Sequence, residues 1–367
     1  MKGGTQMPGV NTQKIAAALG RESGKILMLA DGFVDEVWEV ISSRASLGDF
    51  TTFSQMAQFA QRIASSGTGG VGLELARKRR AVGGFTVNIG HAAARLGVDT
   101  AMIGVYGKEK VDPIFGEVAA LCRMISLGDP AVTHVFEFDD GKILLSHMEA
   151  VQDISWQRIV DRVGVEELIS MLVRSDIIGV GYMSLLPAFD EITEQVCAHL
   201  PRDGKPRRLF FDFADFRKKD RASLDLTMQR LRALSEKCPM TLSVNEHEGA
   251  ALFAICGETL DDEGRSIREK TEDVRKQTGF DELVIHAPHY AVAASAGEPP
   301  AFAPSAFCAK PLRVVGAGDS FNGGYLAASL AGLGLAGRLQ VANAAVGYFL
   351  RNAEFPGLED VLRQLDV

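Results

Sequence analysis

The sequence predicts an α/β fold in which a mostly parallel sheet is covered by helices on both faces. Short apolar runs alternate with segments of helical periodicity along most of the chain, which is the pattern of successive βαβ units. Because these runs are apolar at almost every position, we expect strands that are buried on both faces. The predicted strands are Lys25–Ala30, Thr100–Gly104, Asp176–Val180, Leu209–Asp212, Thr241–Val244 and Leu283–His286.

The composition agrees with a packed globular chain, since 46% of the 367 residues are hydrophobic and 23% are charged. Acidic residues outnumber basic ones by 47 to 39, which gives a net charge of −8, and no basic block occurs. We therefore expect neither a nucleic acid nor an anionic membrane as a partner. The five cysteines are widely spaced without a C-x-x-C pair, which favours reduced thiols and a cytoplasmic protein.

Two segments of the sequence are relevant to targeting and membrane insertion. Residues 1–22 contain no apolar signal core and are predicted to be a loose lead-in to one domain at 23–367. The uncharged run Ser320–Gly337 is long enough to span a membrane, but it contains Asn322, Tyr325, two serines and five glycines. We therefore predict a buried helix of a soluble protein there.

Two regions interrupt the alternation of strands and helices. Val135–Phe138 and Ile143–Ser146 flank an Asp-Asp-Gly turn, which predicts a β-hairpin within residues 131–150. Residues 36–82 contain a predicted strand at Val37–Ile41 and a polar helical segment from Phe50 to Ser65. We expect both regions to project from the main sheet as a small lid.

The sequence from Gly316 to Asp319, Gly-Ala-Gly-Asp, precedes a predicted helix. The N–H groups of such a turn, together with the helix dipole, form an anion site suited to a phosphoryl group in transfer. Asp319 at the helix start is then a candidate general base for a hydroxyl nucleophile. The structural alternative is a tight turn in which Asp319 serves only as the N-cap.

Two further segments carry polar residues at the start of a helix. Gly83 and Gly84 allow a ligand to approach the backbone closely, and Asn88 offers a donor and an acceptor to a polyol. Asn245 and Glu248 follow a predicted strand, where a carboxylate suits a magnesium ion held mostly through water. The alternatives are a flexible loop for the first segment and ordinary first-turn acids for the second.

Three other segments match nucleotide or metal motifs only incompletely. Gly20–Lys25 is one residue short of a P-loop, and Gly179–Ser184 lacks the third glycine that a dinucleotide-binding oxidoreductase would require. His286 and His289 flank a proline, and no third metal ligand is evident nearby. We predict that all three segments are scaffold.

In this order and spacing, the segments resemble the ribokinase-like (pfkB) carbohydrate kinase family over about residues 25–355. The resemblance implies a three-layer α/β/α sandwich with a small β-lid. It also implies transfer of the γ-phosphate of ATP, with Mg²⁺, to a hydroxyl of a sugar or nucleoside-like substrate. The exposed apolar residues of the hairpin are candidates for a homodimer contact through the lid.

The resemblance also implies roles for individual residues. Asp35, Gly83, Gly84 and Asn88 match the substrate-binding positions of the family. Gly316, Ala317 and Gly318 match its anion hole, and Asp319 its catalytic base. Asn245 and Glu248 match a motif tied to phosphate and magnesium, and Asn343 a residue close to the adenine nucleotide.

The chain departs from the family pattern on the nucleotide side of the site. Arg313 and Val314 replace an Asp-Thr pair, and Ile285–Tyr290, including His286, replaces a Thr-x-Gly-x-x-Gly motif. These departures keep an ADP-dependent sugar kinase and a ligand-binding pseudokinase open as alternatives. The family Asp at position 313 often helps bind a monovalent cation, and our hypothesis is that the Arg313 charge replaces that cation. The alternative is that Arg313 points into solvent.

Overall fold

The structure is a computed structural model that describes residues 12–20, 24–213 and 221–365. Its strands are β1 (Lys25–Leu29), β2 (Phe33–Arg44), β3 (Phe50–Thr52), β4 (Leu75–Gly83), β5 (Asp99–Gly104), β6 (Arg123–Ser126), β7 (Ala131–Phe138), β8 (Gly141–His147), β9 (Ile177–Val180), β10 (Arg208–Asp212), β11 (Met240–Asn245), β12 (Glu282–His286), β13 (Tyr290–Ser295) and β14 (Glu298–Pro304). Its helices are α1 (Thr12–Leu19), α2 (Met56–Ala64), α3 (Phe85–Arg95), α4 (Gly116–Ala119), α5 (Glu149–Gln152), α6 (Trp156–Val163), α7 (Val165–Arg174), α8 (Phe189–His199), α9 (Arg221–Ser235), α10 (Glu246–Ile255), α11 (Ile267–Thr278), α12 (Ala317–Leu330), α13 (Leu335–Asn352) and α14 (Leu358–Leu365).

The main sheet has nine strands in the order β14-β13-β12-β11-β10-β9-β1-β5-β6. The strands from β12 to β6 in this order are parallel, whereas β13 and β14 are antiparallel at one edge. All six strands predicted from apolar runs are present in the sheet. The prediction of a mostly parallel sheet is therefore confirmed.

Helices cover both faces of the main sheet, which gives three layers. Ile26 and Met28 of β1 pack on one side against α1, α3, α12, α13 and α14. Leu27 and Leu29 alternate with them and pack on the other side against α6, α7, α8, α10 and α11. This alternation is the reason that the strand is apolar at every position.

The remaining strands form a second sheet, here called the small sheet, from β2, β3, β4, β7 and β8. Its β2 strand is parallel to β7 and antiparallel to β4, so that Asp35 lies between Thr133 and Ala81. The predicted hairpin is confirmed, because β7 and β8 pair up to Phe138 and Gly141 across a two-residue turn. The small sheet contains both predicted lid regions but extends beyond residues 36–82, from Phe33 to Gly83.

Three local expectations are corrected by the structure. Within the predicted loose lead-in, residues 12–19 form α1, because this helix buries Ile15 and Leu19 against α12 and α14; residues 1–11 and 21–23 lie outside the described residues. The predicted helix from Phe50 begins only at Met56, since β3 pairs with the end of β2. The run Ser320–Gly337 is divided between α12 and α13 by a turn at residues 331–334.

No helix among the described residues combines the length and the apolar character needed to cross a membrane. The five cysteines are all free, and Cys122 and Cys238 are buried.

Helices α3 and α12 approach each other closely beneath the site described below. A Cβ atom at Gly323 would lie only 2.4 Å from the Cβ atom of Ala92, so this contact requires glycine. Ala92 lies one turn beyond Asn88 on α3, and Gly323 lies one turn beyond Asp319 on α12. The contact therefore fixes the distance between these two predicted site residues.

Candidate active site

The N-terminus of α12 has no side-chain cap. Its N-cap residue is Gly316, whose φ of 93° lies in the left-handed region that favours glycine. The Ala317 N–H is used in a turn to the Val314 carbonyl oxygen, 3.0 Å away. The N–H groups of Gly318 and Asp319 follow in the first turn, where a helix offers donors without intrahelical partners. The segment predicted to bind an anion therefore forms an open helix end, and its role in anion binding stays a prediction.

Asp319 is a buried carboxylate that contacts two neutral donors. Asn88 Nδ2 donates to Asp319 Oδ2 at 2.8 Å, and the Tyr182 hydroxyl donates to Oδ1 at 3.2 Å. Burial raises the pKa of Asp319 to about 7, although the hydrogen bonds from Asn88 and Tyr182 and the charge of Arg313 lower it. The nearby carboxylate of Asp31 raises the pKa further. The group can accept a proton near neutral pH.

The contact between Asn88 and Asp319 joins two motifs that are 231 residues apart. The sequence predicts both residues but not their hydrogen bond. The Oδ1 atom of Asn88 is buried and has no hydrogen-bond partner among the described residues. Tyr182 was missed, because it lies in the segment Gly179–Ser184 that was predicted to be scaffold. Its position directly after β9, at the carboxyl end of a parallel strand, is the signal that could have indicated it.

The four predicted substrate-binding residues are here called the acceptor side of the site: Asp35, Gly83, Gly84 and Asn88. Asp35 lies on β2 and Gly83 ends β4, the strand paired with it. A Cβ atom at Gly83 would be 3.0 Å from both carboxylate oxygens of Asp35, so the glycine leaves this carboxylate accessible. The structure thus brings all four predicted substrate-binding residues to one end of α3.

Asp31, which the sequence analysis gave no role, fixes the start of α3. Its carboxylate accepts the N–H groups of Phe85 and Thr86, at 2.8 Å each, directly after Gly84. Asp31 is 2% exposed, and its burial raises its pKa to about 6. The signal was the position of an acidic residue at the end of the first strand. This residue orients the helix that carries Asn88.

Two cations, Arg313 and Lys142, face the acceptor side. Burial raises the pKa of Asp35 to about 6, and the charges of Arg313, Lys142 and Arg79 lower it. The guanidinium of Arg313 lies over the Phe349 ring, 5.3 Å from its centroid, and Nε donates to the Val315 carbonyl oxygen at 3.0 Å. Arg313 is half-buried, with its guanidinium packed over the Phe349 ring.

A cavity of about 550 Å³ opens on the other side of Asp319. Its polar end contains Tyr182 and the turn from Gly316 to Asp319. Its walls include the apolar residues Pro288, Phe307, Val346 and Leu350 together with the predicted residues Asn245, Glu248, His286 and Asn343. A cavity with an open helix end at one side and apolar walls suits a phosphorylated ligand with a flat apolar base.

His286 is a neutral side chain below the anion site. Burial lowers its pKa to about 4, and its Nε2 atom is buried without a hydrogen-bond partner among the described residues. A Cβ atom at Gly318 would lie 3.2 Å from the His286 ring, which therefore supports the turn directly. His289 stacks instead on Phe307 at 4.4 Å, so the two histidines do not form a metal pair.

Asn343 uses its polar atoms to hold the cavity wall. Its Nδ2 donates to the Pro304 carbonyl oxygen at 3.2 Å, and its Oδ1 accepts the Ser305 hydroxyl at 3.0 Å. The side chain thus ties α13 to the end of β14. It lines the cavity, and its predicted position close to a nucleotide stays a prediction.

The sequence matches the family described as prokaryotic ketohexokinase over residues 11–367. The chain belongs to this family. It is 26% identical to a ketohexokinase of Haloferax volcanii over 346 residues. The aligned region covers 93% of this chain and 90% of that protein. The members of this family are sugar kinases. This family member is therefore a sugar kinase, which transfers a phosphoryl group to a sugar.

Solved structures show that the fold of this ketohexokinase family member is ribokinase-like. The ribokinase of Arabidopsis thaliana, complexed with ribose and ATP, has a TM-score of 0.65 at 16% identity and covers 95% of this chain and 100% of that chain. A ribokinase II from Escherichia coli, solved with ATP and Mg²⁺, has a TM-score of 0.61 at 16% identity over 94% and 98% of the two chains. The resemblance to ribokinase-like carbohydrate kinases is confirmed.

The start of α10 differs from that of α12 in this family member. Asn245 Oδ1 accepts the Glu248 N–H and Glu248 Oε2 accepts the Asn245 N–H, at 3.0 Å each, which is a capping box. The structural alternative for this motif, an acidic residue in the first turn of a helix, is therefore present. The two side chains are engaged in capping this helix end. Glu248 still lines the cavity that contains the open end of α12.

The donor set near Glu248 fits a loosely held magnesium ion. Asp212 at the end of β10 lines the same cavity and accepts a hydrogen bond from Asn322 Nδ2 at 3.1 Å. The described residues contain no group of three or more histidines, cysteines and acids that could hold a metal. Two carboxylates suit Mg²⁺, which keeps several waters and is otherwise bound by substrate phosphates.

Proposed function

We propose that this family member transfers the γ-phosphoryl group of ATP to a hydroxyl of a ketohexose. The observation that carries the proposal is the buried Asp319, whose pKa is about 7, at the open N-terminus of α12. It lies between a polar acceptor side and a nucleotide-sized cavity. The family match and the ketohexokinase relative support a ketohexose as the acceptor.

In the proposed reaction, the carboxylate of Asp319 takes the proton of the acceptor hydroxyl. The hydroxyl oxygen forms a bond to the γ-phosphorus, and the bond from that phosphorus to the bridging oxygen of ADP breaks, leaving the electron pair on ADP. Asn88 and Tyr182 hold the carboxylate in place from both of its oxygens. The N–H groups of Gly318 and Asp319 stabilise the charge on the transferred group.

Asp35, Gly83, Gly84 and Asn88 would orient the sugar so that one hydroxyl faces Asp319. The carboxylate of Asp35 would accept hydrogen bonds donated by sugar hydroxyls, and Asn88 Oδ1, which has no partner among the described residues, would accept another. Binding at a fixed distance from the proton acceptor is a large part of the catalysis in phosphoryl transfer.

Glu248 and Asp212 would hold Mg²⁺ on the nucleotide side, mainly through its water molecules. When bound there, the ion supplies positive charge that neutralises the phosphates of the donor. Asn343 and His286 would lie along the nucleotide, with His286 supporting the turn at Gly318.

The small sheet is proposed to act as a lid that excludes water from the transferring phosphoryl group. The hairpin of β7 and β8 reaches the acceptor side, since the charge of Lys142 lowers the pKa of Asp35. Leu144 and Leu145 of the same hairpin are 50% and 57% exposed, which supports the proposed homodimer contact through the lid. Shortening the hairpin should raise the KM for sugar and release ATP hydrolysis in the absence of sugar.

A phosphoryl-transfer assay over a set of acceptors and donors tests the proposal. D-fructose, D-ribose and adenosine would each be offered with Mg²⁺ and either ATP or ADP. We expect the highest kcat/KM for D-fructose with ATP. Binding of sugar and nucleotide without turnover would indicate a pseudokinase, and turnover with ADP alone would assign the donor differently.

A further inference from the structure

The guanidinium of Arg313 lies at the junction of the acceptor side and the anion site. The nearest atoms to a Cβ placed on Gly316 are from Phe349, then Arg313 Nη2 and Asn88 Nδ2 at 3.8 Å each. The charge of Arg313 lowers the pKa of both Asp35 and Asp319, whose carboxylates belong to the two sides of the junction. The side chain is therefore next to the place where the acceptor oxygen and the phosphorus must meet.

The positive charge of Arg313 is only weakly compensated. Among the described residues, Arg313 makes one hydrogen bond, from Nε to the Val315 carbonyl oxygen, and neither Nη atom is within ion-pair distance of a carboxylate. Burial lowers the pKa of Arg313, and the charges of Asp35 and Asp319 raise it. A half-buried guanidinium with two unengaged Nη groups is a strong donor set for an oxyanion.

The Phe349 ring holds the guanidinium in this orientation. A Cβ atom placed on Gly316 would lie 3.2 Å from this ring, and the guanidinium carbon of Arg313 lies 5.3 Å from the ring centroid. Stacking of a guanidinium on an aromatic face leaves its planar edge free for bidentate contact with phosphate oxygens. The edge is preorganised, as an electrostatic catalyst requires.

We propose that Arg313 is a catalytic residue whose Nη groups contact the oxygens of the phosphoryl group as it moves to the sugar. The inference rests on the proposed function for its chemistry. The γ-phosphoryl group carries its negative charge on the equatorial oxygens throughout the transfer. Arg313 stabilises that charge from the acceptor side, while the N–H groups of α12 act from the helix end. It neither gains nor loses a proton.

Lys142 provides a comparison within the same site. It is half-buried on β8 of the small sheet, and its charge lowers the pKa of Asp35. Its place on the small sheet, rather than beside the turn at Gly316, would put it next to the sugar and not next to the transferring group. Substitution of Arg313 should therefore act mainly on kcat, and substitution of Lys142 mainly on KM.

The kinetic experiment compares Arg313→Met, Arg313→Lys and Lys142→Met with D-fructose and ATP–Mg²⁺. We expect Arg313→Met to lower kcat by about 10²–10³-fold, the loss typical of one missing donor to a developing oxyanion, with the KM for D-fructose little changed. Arg313→Lys should recover only part of the rate, because a lysine ammonium is a point charge and lacks the paired, planar N–H donors of a guanidinium. Lys142→Met should instead raise KM with a small effect on kcat.

Arg95→Met is the matched control, since Arg95 is an exposed cation farther along α3. It should retain the wild-type kinetics and melting temperature. A kcat of Arg313→Met close to that of this control would overturn the proposal, and so would an effect on KM alone. Arg313→Lys keeps the test informative if the methionine variant does not fold.

A binding experiment that needs no turnover separates this proposal from the proposed function. The affinities for D-fructose, D-fructose 1-phosphate and D-fructose 6-phosphate are measured by calorimetry on wild type and on Arg313→Met and Arg313→Lys. We expect a loss of about 10-fold or more for at least one sugar phosphate and none for D-fructose, as for loss of one charge-assisted bidentate contact. Equal affinities in wild type and variants, or no sugar-phosphate binding by the wild type, would overturn the proposal. Arg313-dependent phosphate binding without turnover would overturn the proposed function alone.

Discussion

Two buried carboxylates, one at the amino ends and one at the carboxyl ends of the strands of the main sheet, differ in the groups that contact them. Glu282, at the amino end of β12, is 1% exposed and contacts Arg208 Nη1 at 3.1 Å and Arg338 Nη1 at 2.6 Å. Asp319, which faces the carboxyl ends of the parallel strands, is 7% exposed and contacts an amide and a phenol hydroxyl. The first carboxylate is compensated by two guanidinium groups in contact, and the second has only neutral donors.

The difference separates a structural carboxylate from one that can exchange a proton. Burial penalises the ionised form of both groups, and direct contact with cations offsets that penalty. Asp319 lacks such a contact, so its pKa rises to about 7, where a carboxylate can act as a base at cellular pH. Arg313 acts on it from a greater distance and lowers the pKa only in part.

The largest effect is expected for Asp319→Asn. The amide cannot accept the hydroxyl proton, so kcat should fall by at least about 10²-fold, the lower range for general-base catalysis. The fold and the affinity for sugar should be retained, since Asn88 and Tyr182 keep partners. Circular dichroism and sugar titration control for misfolding. Turnover near that of the wild type would remove Asp319 from the proposed catalytic role.

At the other carboxylate, Glu282→Gln should reduce stability and leave the rate per folded molecule unchanged. Breaking a buried ion pair typically costs about 3–5 kcal/mol in unfolding free energy, because the guanidinium groups lose their counter-charge. Glu298→Gln is the control, since Glu298 is a more exposed and more distant partner of Arg338, at 3.8 Å. Its loss should cost at most about 1 kcal/mol. A drop in kcat for folded Glu282→Gln would contradict the separation of the two roles.

The pH dependence of stability should show the sign that the raised pKa of Asp319 implies. The pKa of Asp319 is higher in the folded protein, about 7, than the usual 3.8, so its contribution to stability is present at low pH and is lost as pH rises through 7. Asp319→Asn should therefore be more stable than wild type at pH 8.5, with the difference shrinking toward pH 5.5. Denaturant unfolding at the two pH values measures it. A difference that grows on acidification would show that Asp319 is stabilised as an anion.

The pH–rate profile of the wild type should show the same ionisation. In the proposed reaction the ionised form of Asp319 is the base, so kcat/KM should rise with pH and level off above an inflection near 7. The neighbouring charged groups that set this inflection are Asp31, which raises the pKa, and Arg313, which lowers it. Asp31→Asn should therefore move the inflection to lower pH. An inflection that does not move would show that Asp31 acts only on the start of α3.

The smallest effect is expected for monovalent cations. Arg313 already supplies positive charge next to the anion site, and a potassium ion close to it would be repelled. Turnover in sodium, potassium and tetramethylammonium buffers of equal ionic strength should therefore be nearly the same. Activation by several-fold that is specific to potassium would contradict the hypothesis that Arg313 replaces the cation.

Much of the main sheet could be predicted because strands buried on both faces must be apolar throughout. β4 was not predicted, since it is an exposed strand whose Lys78, Arg79 and Arg80 form ion pairs with Glu36, Glu39 and Glu137 across the small sheet. The alanine-rich β13 and the proline-containing β14 were also missed, because neither has a strong periodic pattern. Strands that depend on partners for their stability leave a weak local signal.

The site could be predicted in its turns but not in its contacts. The glycine-containing segments at Gly83 and Gly316 are local, so the sequence indicated them directly. Tyr182, Asp31 and Lys142 reach the site because separate elements meet there. The positions of Tyr182 and Asp31 directly after parallel strands are a local signal, whereas nothing in the residues around Lys142 indicates the site. The motif at Asn245 had two interpretations, and the capping box shows that the structural one is satisfied without removing Glu248 from the cavity.

The close contact of Gly323 with Ala92 has a consequence for how new substrates are acquired. It joins α3 and α12 into one rigid pair, so Asp319 and the open end of α12 cannot shift independently of Asn88. Asp35 and Lys142, in contrast, are carried by β2 and β8 of the small sheet. Selection or engineering for another acceptor can therefore act on the small sheet while the chemistry stays fixed. We expect substitutions that change sugar preference to accumulate there rather than along the helix contact.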